Sequence, residues 1–303
     1  MGLDRRSFIE SMAIGLAAGL GAEATQASNP KDSPADPYGM LCDTTICIGC
    51  RKCEFACNRQ HHLSDRTLEN YEDFSVFEDA RRMTADAYTV VNRYPNPKDG
   101  NKPIYVKVQC MHCLDPACVS ACLVRALTLS ESGAVVYDPH KCMGCRYCMV
   151  ACPFQVPAYE YENPLTPRVM KCNLCHDKIE ESGGIPACAE MCPPNALMYG
   201  KRSELLAYAR ERIANDPDTY IDHIYGEHEA GGTSWMYLAS KDFTELGLLD
   251  ISEDPAPALT EAIQHGIFKF GIPPLMLYGL LGAAMYSYRE RKSKSAEEVV
   301  ERN

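Results

Sequence analysis

The sequence predicts an α+β fold in which one cysteine-rich unit is used twice, with an inserted hairpin subdomain and a single C-terminal transmembrane helix. Three observations predict it. Residues 40–50 align with residues 135–145, each stretch running from a short apolar strand through Asp43 or Asp138 into a cysteine-rich turn. All but one of the 17 cysteines fall into four close groups. Residues 270–288 carry no charge and would reach about 28 Å as a helix, close to the hydrocarbon thickness.

Taken in order, the first element is an address rather than a fold. Asp4-Arg5-Arg6-Ser7-Phe8-Ile9 is a twin-arginine pattern before a weakly apolar run, so residues 1–27 read as a signal peptide of the route that exports folded proteins. Residues 28–200 hold the cysteine groups. Within them residues 58–109 read as an insertion, with strands at 88–94 and Ile104–Val108 joined by a Pro/Asn/Asp/Gly turn. Residues 201–265 form an extension and linker, in which Ser203 is placed to cap a helix running to about Ala214 and residues 234–238 read as a strand. The transmembrane helix is assigned to residues 266–288 and a cytoplasmic tail to 289–303, because Arg289, Arg291, Lys292 and Lys294 follow the apolar run. Both ends give one topology: a single-pass protein on the periplasmic face of a bacterial inner membrane. A net charge of -11 without any basic stripe argues against nucleic acid as a partner.

The cysteines form four quartets: Cys47, Cys50, Cys53 and Cys57; Cys110, Cys113, Cys118 and Cys122; Cys142, Cys145, Cys148 and Cys152; Cys172, Cys175, Cys188 and Cys192. The first and third have two, two and three residues between successive cysteines, the spacing that binds [4Fe-4S] clusters. In that arrangement three thiolates wrap one cluster while the fourth completes the cluster of a partner quartet, so clusters come in pairs. Pro153 and Pro193 follow terminal cysteines as this pattern expects, whereas Asn58 and Leu123 depart from it. Two other chemistries use such residues. Four thiolates also satisfy a structural zinc, and Cys172-Asn173-Leu174-Cys175-His176 contains a haem-attachment string. Taking Cys172 and Cys175 for haem would strip the fourth quartet of two ligands, which favours the cluster reading.

Outside the quartets, Cys42 aligns with Tyr137 and reads as a small buried hydrophobe. His112 is placed to donate to a cluster sulfur or to pack as an ordinary core histidine. Arg146, Lys141, Lys171 and Arg168 are candidate counter-charges for clusters, and His265 precedes the apolar run where a quinone or haem could meet it. No nucleophile–base pair, carboxylate dyad or nucleotide loop stands out. The chain therefore reads as an electron carrier without catalysis of its own.

At these motifs the chain resembles the four-cluster ferredoxin subunits of the dimethyl sulfoxide reductase iron–sulfur subunit family, which also serve formate dehydrogenases. The strings Cys50-Arg51-Lys52-Cys53, Gly144-Cys145-Arg146-Tyr147-Cys148 and Gly231-Gly232-Thr233-Ser234-Trp235 look most like the ferredoxin subunit of Hmc-type transmembrane complexes, and next like that of Hyb-type hydrogenases. The resemblance implies a duplicated bacterial-type ferredoxin fold with four [4Fe-4S] clusters. It implies that Cys47, Cys50, Cys53 and Cys192 hold one, and Cys57, Cys172, Cys175 and Cys188 a second. Cys110, Cys113, Cys118 and Cys152 would hold a third, and Cys122, Cys142, Cys145 and Cys148 a fourth. Because Cys145 is present, the fourth is expected to keep four irons. The implied partners are a multi-helix, quinone-interacting membrane subunit and a periplasmic multihaem cytochrome c, hydrogenase or molybdoenzyme.

Overall fold

A computed structural model describes residues 34–96, 102–163, 168–257 and 278–288. Its centre is a three-stranded sheet of β1 (Tyr38–Asp43), β8 (Leu197–Lys201) and β9 (Trp235–Leu238) in the order β8-β1-β9. β1 runs antiparallel to β8, with Cys42 opposite Leu197, and parallel to β9, with Met40 opposite Trp235. Alternation along β1 divides the core. Met40 and Cys42 pack with Trp235, Tyr237 and Leu197 on the face toward Cys53, Cys188 and Cys192. Leu41 packs with Met236 and Leu238 on the other face. That second face is closed by α6 (Arg202–Asn215), whose Leu205, Leu206, Ala209 and Ile213 meet it at helical spacing. Gly39 is required here, since a Cβ would come within 2.3 Å of the Ser234 carbonyl oxygen.

The second half repeats this plan with fewer strands. β4 (Leu127–Leu129) and β5 (Val135–Tyr137) pair antiparallel, Leu127 opposite Tyr137. The amide of Asp43 donates to the Ala196 carbonyl at 2.9 Å, and that of Asp138 to the Ala126 carbonyl at 2.7 Å. Each lead-in strand thus pairs with the strand that follows another quartet's last cysteine. The helices obey the same rule. α1 (Lys52–His61) packs on α5 (Ala187–Glu190), and α2 (Ala117–Ser120) on α3 (Tyr147–Ala151). α4 (His176–Ser182) and the short hairpin of β6 (Ala158–Tyr159) with β7 (Val169–Met170) complete the cysteine-bearing part.

The strands expected in the insertion are β2 (Val90–Tyr94) and β3 (Ile104–Val108), paired antiparallel. A buried ionic knot ties them to the first quartet. The Glu54 carboxylate on α1 receives Arg81 at 2.6 Å, Arg51 at 3.0 Å and the Val91 amide at 2.7 Å. Ser203 does not cap α6 from its own side chain. Asp36 does so, accepting the Ser203 amide at 3.0 Å and its hydroxyl at 2.8 Å.

One expected element is overturned. Among the described residues no helix is long and apolar enough to cross a membrane, against the transmembrane helix expected over 266–288 and the single-pass placement on the periplasmic face. The described part of that run, residues 278–288, is helical. Lack of charge measures polarity and does not by itself set how long an apolar helix is. The remainder of the apolar run, His265, the tail 289–303 and the twin-arginine segment lie outside the described residues.

Candidate iron–sulfur centres

The two canonical-spacing quartets share one backbone path. Gly49 and Arg51 in the first have φ of 68° and 58°, and Gly144 and Arg146 in the third have 72° and 60°. These left-handed residues curl the chain so that successive thiols face a common point. Three terminal cysteines also share a turn. Arg125, Gln155 and Asn195, each three residues past Cys122, Cys152 or Cys192, are left-handed and donate their amides to that cysteine's carbonyl. Cys57 differs because α1 continues past it, with the Asn58 side chain donating to Ser64. The helix explains why proline is missing after Cys57.

The thiols gather into four groups. Cys47 lies within electrostatic reach of Cys192 and Cys50, and Cys53 of Cys47. Cys57 lies among Cys172, Cys188 and Cys175. Cys113 lies within electrostatic reach of Cys110, Cys118 and Cys152, and Cys148 of Cys122, Cys142 and Cys145. Electrostatic reach also extends between quartets, from Cys53 to Cys188, from Cys172 to Cys110 and from Cys118 to Cys148. Cys47, Cys50, Cys53 and Cys192 line one cavity.

Burial sets the chemistry of these sulfurs. It raises Cys47 and Cys148 to about 11 and Cys172 to about 12, and pushes Cys53, Cys57 and Cys113 well up. Left to themselves such thiols hold their protons, so a bound cationic centre must supply the charge that makes them thiolates. Backbone amides are aimed at them in a repeated pattern. Gly144 donates to the Cys142 sulfur at 3.4 Å, Leu174 to Cys172 at 3.4 Å and Ala126 to Cys122 at 3.2 Å. Gly49 does so to Cys47, Ala196 and Leu197 to Cys192, and Val156 to Cys152. His112 is fully buried; its Nδ1 accepts the Val135 amide at 3.0 Å, leaving Nε2 without a protein partner. Burial holds this ring neutral, so the orphaned atom is a donor waiting for an acceptor. Among the described residues no three His, Cys, Asp or Glu side chains converge on a single-ion site.

The other singled-out residues fall as follows. Cys42 is buried beside the first group, its thiol pushed up by burial and by nearby Cys47. Cys172 and Cys175 point into the second group, while His176 turns to Glu180 at 3.4 Å, so the haem string is divided between two environments. Lys141 is exposed and pairs with Asp138, Arg146 is exposed over the Tyr159 ring, and Arg168 lines an open groove. Of the four candidate counter-charges only Lys171 is buried. Two neighbours of the thiols were not anticipated. His61 Nε2 lies 3.6 Å from the Cys175 sulfur, foreshadowed only by its position one helical turn after Cys57. Lys107 on β3 is 2 % exposed and borders the first cavity.

Paired lead-in strands, left-handed cysteine loops and buried thiols backed by amide donors define an iron–sulfur protein of the ferredoxin type. Residues 102–202 match the 4Fe-4S dicluster domain family. A protein of Nitratidesulfovibrio vulgaris is 43% identical over 305 residues, covering 98% of this chain and 80% of that one. Hydrogenase-2 operon protein HybA of Escherichia coli O157:H7 is 35% identical, covering 92% of this chain and 94% of its own. The formate dehydrogenase-O iron–sulfur subunit of Escherichia coli K12 is 33% identical, with 77% of each chain covered. The chain belongs to the family of ferredoxin-type 4Fe-4S subunits that includes HybA and the formate dehydrogenase iron–sulfur subunits. It is an electron-transfer subunit of an oxidoreductase complex and not an enzyme on its own.

Proposed function

We propose that this chain relays electrons through four [4Fe-4S] clusters. Cys47, Cys50, Cys53 and Cys192 hold the first; Cys57, Cys172, Cys175 and Cys188 the second. Cys110, Cys113, Cys118 and Cys152 hold the third; Cys122, Cys142, Cys145 and Cys148 the fourth. The observation that carries this reading is the left-handed path of the cysteine loops, with backbone amides aimed at their sulfurs, repeated across the sixteen quartet cysteines. When bound, the clusters supply one-electron sites. The chain's own part is to hold them in order, exclude water with the Trp235 and Tyr237 core, and offset sulfur charge with amide donors.

The same reading places the chain between a periplasmic catalytic or multihaem cytochrome c subunit and a quinone-interacting membrane subunit. Its support is the kinship with hydrogenase-operon and formate dehydrogenase subunits and the Hmc-like strings Cys50 to Cys53 and Gly231 to Trp235. The twin-arginine motif at Arg5 and Arg6 supports export after cluster loading. Absorbance and reduced-state EPR of the anaerobically purified chain test the relay. Broad visible absorbance that bleaches with dithionite and gives interacting cluster signals is expected. A colourless, redox-silent protein, or a haem that stays attached after denaturation, would overturn it. Affinity purification of the intact complex tests the partners, with a multihaem cytochrome expected to co-elute.

A further inference from the structure

We infer that Lys107 is a shared counter-cation for the first two clusters, a positioning residue that raises both their potentials and couples them into one unit. This rests on the four-cluster reading. Its ground is the placement of one buried ammonium group. Lys107 is 2 % exposed in the middle of β3, and among the described residues no carboxylate lies within ion-pair distance of it. Among the described residues its ammonium donates to Gln109 Oε1 at 2.8 Å and sits 4.3 Å from the centroid of the Trp235 ring. It borders the cavity lined by Cys47, Cys50, Cys53 and Cys192. Cys57, Cys172 and Cys188 are also within electrostatic reach of it.

A buried charge is expensive unless something compensates it. One neutral amide oxygen and an aromatic face leave much of that cost unmet. The compensation available is the negative charge on the sulfurs of two groups at once. The site is also built to keep the amine in place. Gln109 donates to the Tyr237 hydroxyl at 2.6 Å, and that hydroxyl returns to the Lys107 carbonyl at 2.7 Å. Lys171 makes a useful contrast. It is buried too, but it donates to the Val135 and Cys172 carbonyls at 2.5 Å and 3.0 Å, so backbone oxygens meet its charge.

A fixed cation favours the more negative, reduced form of any centre beside it. An electron passing between the first two centres leaves one neighbour of Lys107 for another, so the ammonium remains beside the charge without moving or changing protonation. Lys107 is not among the main electrostatic influences on Cys113, Cys118 or Cys148.

The test uses the full chain, purified anaerobically, with iron and sulfide measured alongside an EPR-monitored redox titration. Lys107→Met is expected to keep its iron and to lower two midpoint potentials. At the wild-type midpoint the reduced-to-oxidised ratio of those two centres should fall about tenfold or more, about 59 mV for a one-electron couple. The other two should stay put, and Lys107→Arg should restore the wild-type values. Full iron content with all potentials unchanged, or one uniform shift of every centre, would overturn the inference. Should Lys107→Met lose iron, Lys107→Gln and Lys107→Arg decide. Retention by Arg with loss by Gln supports a charge requirement, and equal behaviour of the two overturns it. A wild-type chain short of four clusters sinks the relay itself, an outcome distinct from a fully loaded variant whose potentials do not move.

Discussion

Glu54 and Lys107 are charged residues inside the protein, and each sits where sequence alone suggests a surface. Glu54 lies on α1 between Cys53 and Cys57, and Lys107 falls in the alternation Ile104, Val106, Val108, on the face that a two-layer sandwich would leave wet. In the fold, the insertion covers one site and the thiols cover the other. Removing the carboxylate in Glu54→Ala leaves Arg51 buried without its partner and takes the acceptor from the Val91 amide. A loss of about 3–5 kcal/mol is expected in urea unfolding; a change below about 1 kcal/mol would show that the knot does not tie the insertion down. Gly49 was more legible, since glycine before the second cysteine signals a left-handed turn. Its φ is +68°, and a Cβ would come within 2.4 Å of the Tyr105 ring. Gly49→Ala should therefore cost at least about 1–2 kcal/mol from the backbone alone and lower iron content, while wild-type loading would refute the tight packing. Cys145 is exposed, so Cys145→Ser should alter the EPR spectrum of one centre and leave the unfolding midpoint nearly unchanged. An identical spectrum would remove Cys145 from the ligand set.

At the scale of elements, pairing across the duplication was readable because the repeats carry it. Asp43 and Asp138 align in sequence and make the same amide bond in space. What stayed hidden was long-range. The strand over residues 234–238 was visible as a short apolar run, but its parallel seat beside β1 depends on a chain path that no local pattern encodes. The cap of α6 is similar, because Asp36 is distant in sequence from Ser203. Bonds from the Ser203 amide and hydroxyl hold the Asp36 carboxyl below the usual carboxylate range. Its folded pKa is thus the lower one, so its contribution is present above the ordinary carboxylate range and lost as pH falls through the depressed value. Asp36→Ala is expected to destabilise by about 1 kcal/mol near pH 7. The wild-type and variant curves should converge below about pH 3, as the carboxyl protonates. An equal gap at both pH values would assign the effect to packing instead of charge.

For the whole molecule, the grouping of cysteines was the most legible feature and the C-terminal span the least. Spacing of thiols in a loop is a local geometric demand, and left-handed Gly49 and Gly144 meet it as the repeat suggests. A membrane span is a statement about a long apolar helix, and among the described residues no helix is long and apolar enough to make it. The dicluster family matches residues 102–202, a stretch from before the second quartet to beyond the fourth. The first quartet, seated on β1 and α1, is what extends a two-cluster unit to the proposed four. Iron and acid-labile sulfide per chain measure that extension most directly. The four groups of thiols predict about sixteen iron and about sixteen sulfide atoms in the fully loaded protein; about eight of each, or iron without sulfide, would contradict the four-cluster relay.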